Sequence, residues 1–189
     1  MVAINAKQAH SVLESADLLC SRERIEQALD HMALEITRRL QHCDPLVLVV
    51  MNGALVPAAH LFTRLSFPFQ IDYVHATRYG DTTAGRELNW LVSPHVSVQG
   101  RVVLVVDDIF DEGKTLQAIL TYLRQSQAQE IYSAVLVNKK HNRKAPGLNV
   151  DFIGLEVEDR YVFGFGMDYK AYWRNLPDIY AVGKTMLFS

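Results

Sequence analysis

A chain of 189 residues with 49% apolar and 21% charged side chains has the composition of a folded domain and enough length for one sizeable core. Its formal net charge of −2 supplies no field that would gather a nucleic acid or an anionic membrane surface, and no apolar run reaches the length that spans a bilayer. Cys20 and Cys43 match neither a metal spacing nor a disulfide framework, and no basic-then-apolar order opens the first twenty residues. The expectation is a cytoplasmic protein with free thiols.

Between residues 22 and 41, Ile25, Ala28, Leu29, Met32, Ile36 and Leu40 recur at helical spacing, with Ser21 placed as N-cap and Asp44-Pro45 closing the segment. This predicts a helix docked on the core. Leu46 to Met51 reads as a buried strand, Asn52-Gly53 as the turn after it, and Leu55, Ala58, Ala59, Phe62 and Leu65 as one face of a second helix. An Asn-Gly pair is commonly no more than a turn. Here it stands where a strand ends and a helix begins, an arrangement that recurs later. Residues 69–77 alternate as a strand does, and 87–92 return as a short one. The polar, glycine-bearing run from Arg78 through Tyr79 to Arg86 between them reads as a long loop, a surface hairpin by composition alone.

Residues 101–119, RVVLVVDDIFDEGKTLQAI, hold the strongest pattern. Val102 to Val106 predicts a buried strand. Asp107, Asp108 and Asp111 follow, then the turn Asp111-Glu112-Gly113-Lys114-Thr115 and a helix with Leu116, Ile119, Leu120 and Leu123 on one face. A glycine turn opening a helix aims unpaired N–H groups and the positive end of the helix dipole at one point, which favours an anion. Carboxylates beside such a point fit a ligand that brings a divalent cation and sugar hydroxyls with its phosphate. Gly113-Lys114-Thr115 ends like a P-loop, but Asp108 stands where the earlier glycine is required, which disfavours that motif.

Ile131 to Val137 predicts a further strand, running into the basic stretch from Asn138 to Lys144, which by composition is a solvated loop. Asp151 to Leu155 is a strand and Arg160 to Phe165 an extended piece, followed by Gly166-Met167-Asp168-Tyr169 and the turn Arg174-Asn175-Leu176-Pro177. Strands alternating with helices, with ligand loops at the strand carboxyl ends, predict an α/β domain with a mainly parallel sheet flanked by helices.

The run VVLVV-DD-IF-D-E-G-K-T resembles the phosphoribosyl pyrophosphate (PRPP) signature of type I phosphoribosyltransferases. The C-terminal order from Phe152 through Tyr161-Val162, Gly164, Asp168-Tyr169 and Arg174 to Pro177 resembles the hallmark of the 6-oxopurine branch, the hypoxanthine-guanine phosphoribosyltransferases. The resemblance runs in order over about residues 25–182. It implies a single domain over 1–189, with a core at roughly 40–150 and a small hood from the N-terminal segment and roughly 151–189. It implies transfer of 5-phosphoribosyl from PRPP to hypoxanthine or guanine with Mg²⁺, in a homo-oligomer, dimer or tetramer.

By the same resemblance Asp107 and Asp108 meet the ribose and the metal's water shell, and residues 111–115 hold the 5′-phosphate. Asp111 is then the general base at N7 of the purine, and Tyr79 belongs to a closing catalytic loop. Asn52, Gly53 and Arg174 meet pyrophosphate. Lys139 or Lys140 reads the purine O6, with Lys139 favoured by the strand end and Lys140 by counting back from Asp151. Tyr161 stacks on the base and the Val162 backbone bonds its edge. Asp168 lies at the base and shares the Mg²⁺, partly through water. Three residues depart from the family pattern: Glu112 replaces a hydroxyl residue, Asn52 a common lysine, and Arg78 the serine before the loop tyrosine. Such divergence leaves open a PRPP- or nucleotide-binding regulator without turnover, or a xanthine preference.

Overall fold

The computed structural model describes residues 4–77 and 89–183. The chain runs α1 (Ala6–Glu14), β1 (Asp17–Cys20), α2 (Arg22–Leu40), β2 (Leu46–Val50), α3 (Leu55–Phe62), β3 (Gln70–Thr77), β4 (Asn89–Val92), β5 (Val102–Phe110), α4 (Lys114–Gln125), β6 (Glu130–Lys140), β7 (Phe152–Glu158), β8 (Val162–Phe163) and β9 (Ile179–Ala181). Six strands form one sheet in the order β4-β3-β2-β5-β6-β7, parallel except for the antiparallel edge strand β4. The central strands are apolar on both faces, and Leu46, Val47, Leu48, Val103, Leu104 and Val105 are fully buried, as a sheet covered on both sides requires.

The chain leaves β2 for β3 on one side and β5 for β6 on the other. Right-handed crossovers therefore put α3 and α4 on opposite faces. Between β2 and β5 the strand order reverses, and the carboxyl ends of these two neighbours open a crevice where ligands of such sheets bind.

A second sheet, β1-β9-β8, is antiparallel and joins the two ends of the chain into a hood. Arg160 is its clamp: its guanidinium bonds Asp17 at the start of β1, Glu158 at the end of β7 and the carbonyl of Val182. Ser21 stands at the N-cap of α2 without a side-chain capping bond; Asp178 from the hood instead accepts from the Arg22 N–H at 2.7 Å. A division of core from hood near residue 150 cuts ahead of β7, which pairs with β6 in the large sheet; the C-terminal share of the hood begins at β8. No helix among the described residues is long and apolar enough to cross a membrane.

The connection from β4 to β5 is held by a buried carboxylate. Asp72 on β3 accepts from its neighbour Tyr73 N–H at 2.8 Å and from the His95 and Val96 N–H groups at 2.6 and 2.9 Å. Burial pushes its pKa up, but these backbone donors outweigh that and hold it below the ordinary 3.8. Asp72→Ala leaves the three N–H groups unpaired and is expected to cost about 1–3 kcal/mol in urea unfolding. Because the folded pKa is depressed, the carboxylate's contribution is full above the ordinary value. It is lost as pH falls through the folded one, so the deficit of the variant shrinks in acid.

Candidate active site

β5 does not stop at Val106. Pairing with β6 continues through Asp107↔Val135 to Phe110↔Asn138, so both adjacent acids sit on the strand and not after it. Asp107 is buried, and its Oδ1 accepts from the Asp108 N–H at 2.9 Å. Burial raises both carboxyls above their ordinary value, Asp107 strongly, with the charge of Asp108 adding to it; Arg174 pulls Asp108 back down. Two acids held this way favour a hard cation that would neutralise them.

The turn to α4 places Gly113 at φ +75°, where a Cβ would stand 2.2 Å from the Phe110 ring. That left-handed residue opens α4, whose first N–H groups have no partner within the helix. Asp107, Asp108, Asp111, Glu112, Gly113, Lys114 and Thr115 line one cavity of about 420 Å³, joined by Arg143. Glu112, where a hydroxyl is expected, pairs with Lys114, and its carbonyl accepts from the Ala145 N–H at 2.8 Å.

The Asn52-Gly53 turn closes one side. A Cβ on Gly53 would lie 1.9 Å from Asp108 Oδ2, and a Cβ on Gly166 would lie 2.2 Å from the Gly53 carbonyl oxygen. The turn after β2 is thus wedged between the second acid and the C-terminal segment. The Met51–Asn52 peptide is cis. Arg174 anchors that segment, donating to the Gly166 carbonyl at 2.7 Å and to Asp168 Oδ1 at 2.6 Å; Asp168 Oδ2 accepts from the Ala171 N–H at 2.7 Å. Tyr161 is half-exposed with its ring edge-on to Tyr169, and Val162 is buried in β8.

On β6 the two lysines part, because successive side chains of a strand face opposite sides. Lys139 is buried and its Nζ meets Asp111 Oδ2 at 2.7 Å. Lys140 pairs with Glu156 at 2.7 Å on the exposed side, away from Asp111. Burial pushes Asp111 up, but hydrogen bonds from Lys139 and His141, with the charge of Lys139, outweigh it and hold the carboxyl below its ordinary range. His141 does not stand out in the sequence, where it lies inside the basic run. Its spacing of two from Lys139 is the available signal, since i and i+2 share a face when extended geometry continues past a strand end.

Asp111, His141 and Asp159 lie close enough to hold an ion between them. The donors already present argue otherwise. Lys139 takes Asp111, Arg143 takes Asp159 with two N–H bonds at 2.7 and 2.9 Å, and the Arg143 N–H donates to His141 Nδ1 at 3.0 Å. A ring that accepts at Nδ1 carries its proton on Nε2, the atom a metal would need bare. Arg78, Tyr79 and the rest of the loop assigned to closure lie outside the described residues.

The acid pair on β5, the glycine turn that opens α4 and the Asn52-Gly53 turn facing them meet at the strand-switch crevice. Residues 16–171 match the family model described as the phosphoribosyl transferase domain. A hypoxanthine-guanine phosphoribosyltransferase of Bacillus subtilis (strain 168) is 34% identical over 163 residues, 86% of this chain and 90% of that protein. A hypoxanthine-guanine-xanthine phosphoribosyltransferase of Tritrichomonas foetus is 30% identical over 162 residues, 86% of this chain and 88% of that one. Among solved structures, a hypoxanthine-guanine phosphoribosyltransferase from Bacillus anthracis superposes with a TM-score of 0.80 at 28% identity, covering 88% of this chain and 97% of that chain. The chain belongs to the type I phosphoribosyltransferases. Within that family it is a member of the hypoxanthine-guanine type.

Proposed function

We propose that this chain transfers 5-phosphoribosyl from PRPP to the N9 of hypoxanthine or guanine, releasing pyrophosphate. The observation that carries the reading is the Asp111–Lys139 pair at the rim of the phosphate loop: a proton acceptor and a cationic donor 2.7 Å apart. That spacing matches N7–H and O6 along one edge of a 6-oxopurine, and a 6-amino group would put donor against donor at Lys139.

In this reading the phosphate is held by the N–H groups opening α4 and the Thr115 hydroxyl, and the ribose hydroxyls by Asp107 and Asp108. As N9 bonds C1 of the ribose, the C1–oxygen bond breaks and its electron pair leaves with pyrophosphate. The N7 proton passes to Asp111. Negative charge on the leaving group is met by the amides of the Asn52-Gly53 turn and by Arg174. The donor set fits Mg²⁺: Asp107 and Asp108 would hold it, with Asp168, whose two oxygens already accept from Arg174 and Ala171, contributing through water. Bound there, the cation supplies Lewis-acid stabilisation of the departing diphosphate. Tyr161 would cover the base, with the Val162 backbone on its edge. Exposed Ile71, Tyr73 and Leu91 on β3 and β4 support the homo-oligomer.

The test is a spectrophotometric assay with PRPP and Mg²⁺ against hypoxanthine, guanine, xanthine and adenine separately. Nucleotide is expected from hypoxanthine or guanine, none from adenine, and none after EDTA. Xanthine earns its place in the panel because the Tritrichomonas relative carries that base in its name. No turnover with any base, alongside intact PRPP binding, would move the chain to the regulators.

A further inference from the structure

His141 lies just past the end of β6 with its side chain only 4% exposed, and it touches Asp111 rather than the cavity. Its Nδ1 accepts the Arg143 N–H at 3.0 Å, so Nε2 bears the proton and donates it to Asp111 Oδ1 at 2.7 Å. Asp111 therefore has one oxygen on a rigid, backbone-anchored ring and the other on a lysine with a flexible four-carbon stem. A lysine alone would let the carboxylate swing with it as the base arrives. The ring cannot follow, because its other nitrogen is tied to the loop.

We propose that His141 is a positioning residue for proton transfer: by pinning Oδ1 it presents Oδ2 of Asp111 to Lys139 and to the N7–H of the purine. The inference rests on the reading of phosphoribosyl transfer to a purine given above. His141 is a fixed donor and not a relay, since Nε2 already carries its proton and protonating Nδ1 would break the bond from Arg143. The proton leaving N7 ends on Asp111 Oδ2, and its former bonding pair stays in the ring as N9 takes the sugar. The same loop is held to the phosphate turn by the Ala145 N–H on the Glu112 carbonyl, so one short segment sets the acceptor against both phosphate and base.

The charged groups around Asp111 are Lys139 from β6, Arg143 and Lys144 from the loop, Glu112 from the phosphate turn and Asp159 after β7. None of them replaces a donor at Oδ1. Removing that donor leaves Asp111 more basic and free to rotate. Loss of kcat on the order of 10–100-fold is expected for His141→Phe, which keeps a ring and lacks the N–H. The KM for PRPP stays as in the wild type, and the acid limb of kcat/KM for hypoxanthine moves to higher pH. His141→Gln, whose side-chain amide still reaches Asp111 as a donor, is expected to recover most of the loss.

These kinetics are measured beside a ¹³C NMR titration of the Asp111 carboxyl in the substrate-free protein. His141→Phe with wild-type kcat and an unmoved limb would overturn the proposal. So would equal damage in both variants with the KM for PRPP rising in step, which is the mark of loop packing. A wild-type chain that makes no nucleotide from any base sinks the phosphoribosyl-transfer reading instead. The NMR titration then still decides whether His141 holds Asp111, by moving up in His141→Phe or staying put.

Discussion

Asp111→Asn is expected to lose 10²–10⁴ in kcat, the range a positioned general base contributes, while PRPP still binds close to the wild-type affinity. Asparagine has the same shape but only one acceptor oxygen, and Asp111 faces donors on both sides, Lys139 at Oδ2 and His141 at Oδ1. Whichever donor keeps the oxygen, the other meets an NH₂ group and must turn away. The purine loses its proton acceptor at N7, and the KM for the base rises along with the fall in kcat. The groups proposed to hold PRPP, from Gly113 to Thr115 and the acids on β5, are left where they were. Steady-state kinetics in hypoxanthine and titration calorimetry with PRPP and Mg²⁺ separate the two effects. A variant with unchanged kcat would remove Asp111 from the proton transfer.

Most of the large sheet is legible in the chain because its strands are buried on both faces. Runs such as LVLVV and VVLVV leave no other reading once a glycine turn and a helical stripe follow them. The strand ends are less legible. Asp107 and Asp108 look like turn residues by type, and only the β5–β6 ladder, reaching Phe110, shows that they remain in the strand. The elements of the hood that escape the sequence are α1, β1 and β9. They are short, and each depends on partners distant in the chain: Trp173 Nε1 donates to the Ala9 carbonyl, and Asp17 pairs across to Ala181. Local pattern cannot report such contacts.

The site divides in the same way. Apart from Val50 and Arg143, the residues that line the cavity fall between Asp107 and Leu116, so one motif carries them together. Lys139 and Lys140 are indistinguishable by type; strand alternation separates them only once the register is fixed, which sends Lys139 to Asp111 and Lys140 to Glu156. Arg143 and His141 sit in a basic run whose composition suggests a solvated loop. Yet each finds an acid from a different element, Asp159 beyond β7 and Asp111 before α4. A charge run becomes part of a site when the fold brings carboxylates to it, and that is a property of topology.

Gly53→Ala is expected to lower kcat/KM for PRPP by at least about 10²-fold, through geometry alone. The added Cβ would stand 1.9 Å from Asp108 Oδ2 and 2.4 Å from its Cγ, so either the turn or the acid must move. The turn has no retreat, because its carbonyl already lies against the backbone of Gly166, which Arg174 holds in place. Asp108 has to swing away from Asp107, and the pair that would face the ribose and the cation is broken. Forcing a methyl into a filled space also costs about 1–3 kcal/mol of stability. Adding Asp108→Ala to the same chain separates the two losses, since it removes the obstructing carboxylate without restoring the acid. The double variant is expected to unfold in urea more like Asp108→Ala alone than the sum of the singles, with activity still lost. Additive destabilisation would mean that the methyl is opposed by Gly166 and not by Asp108. A Gly53→Ala chain with wild-type kcat/KM would show that the turn opens freely and takes no part in holding the leaving group.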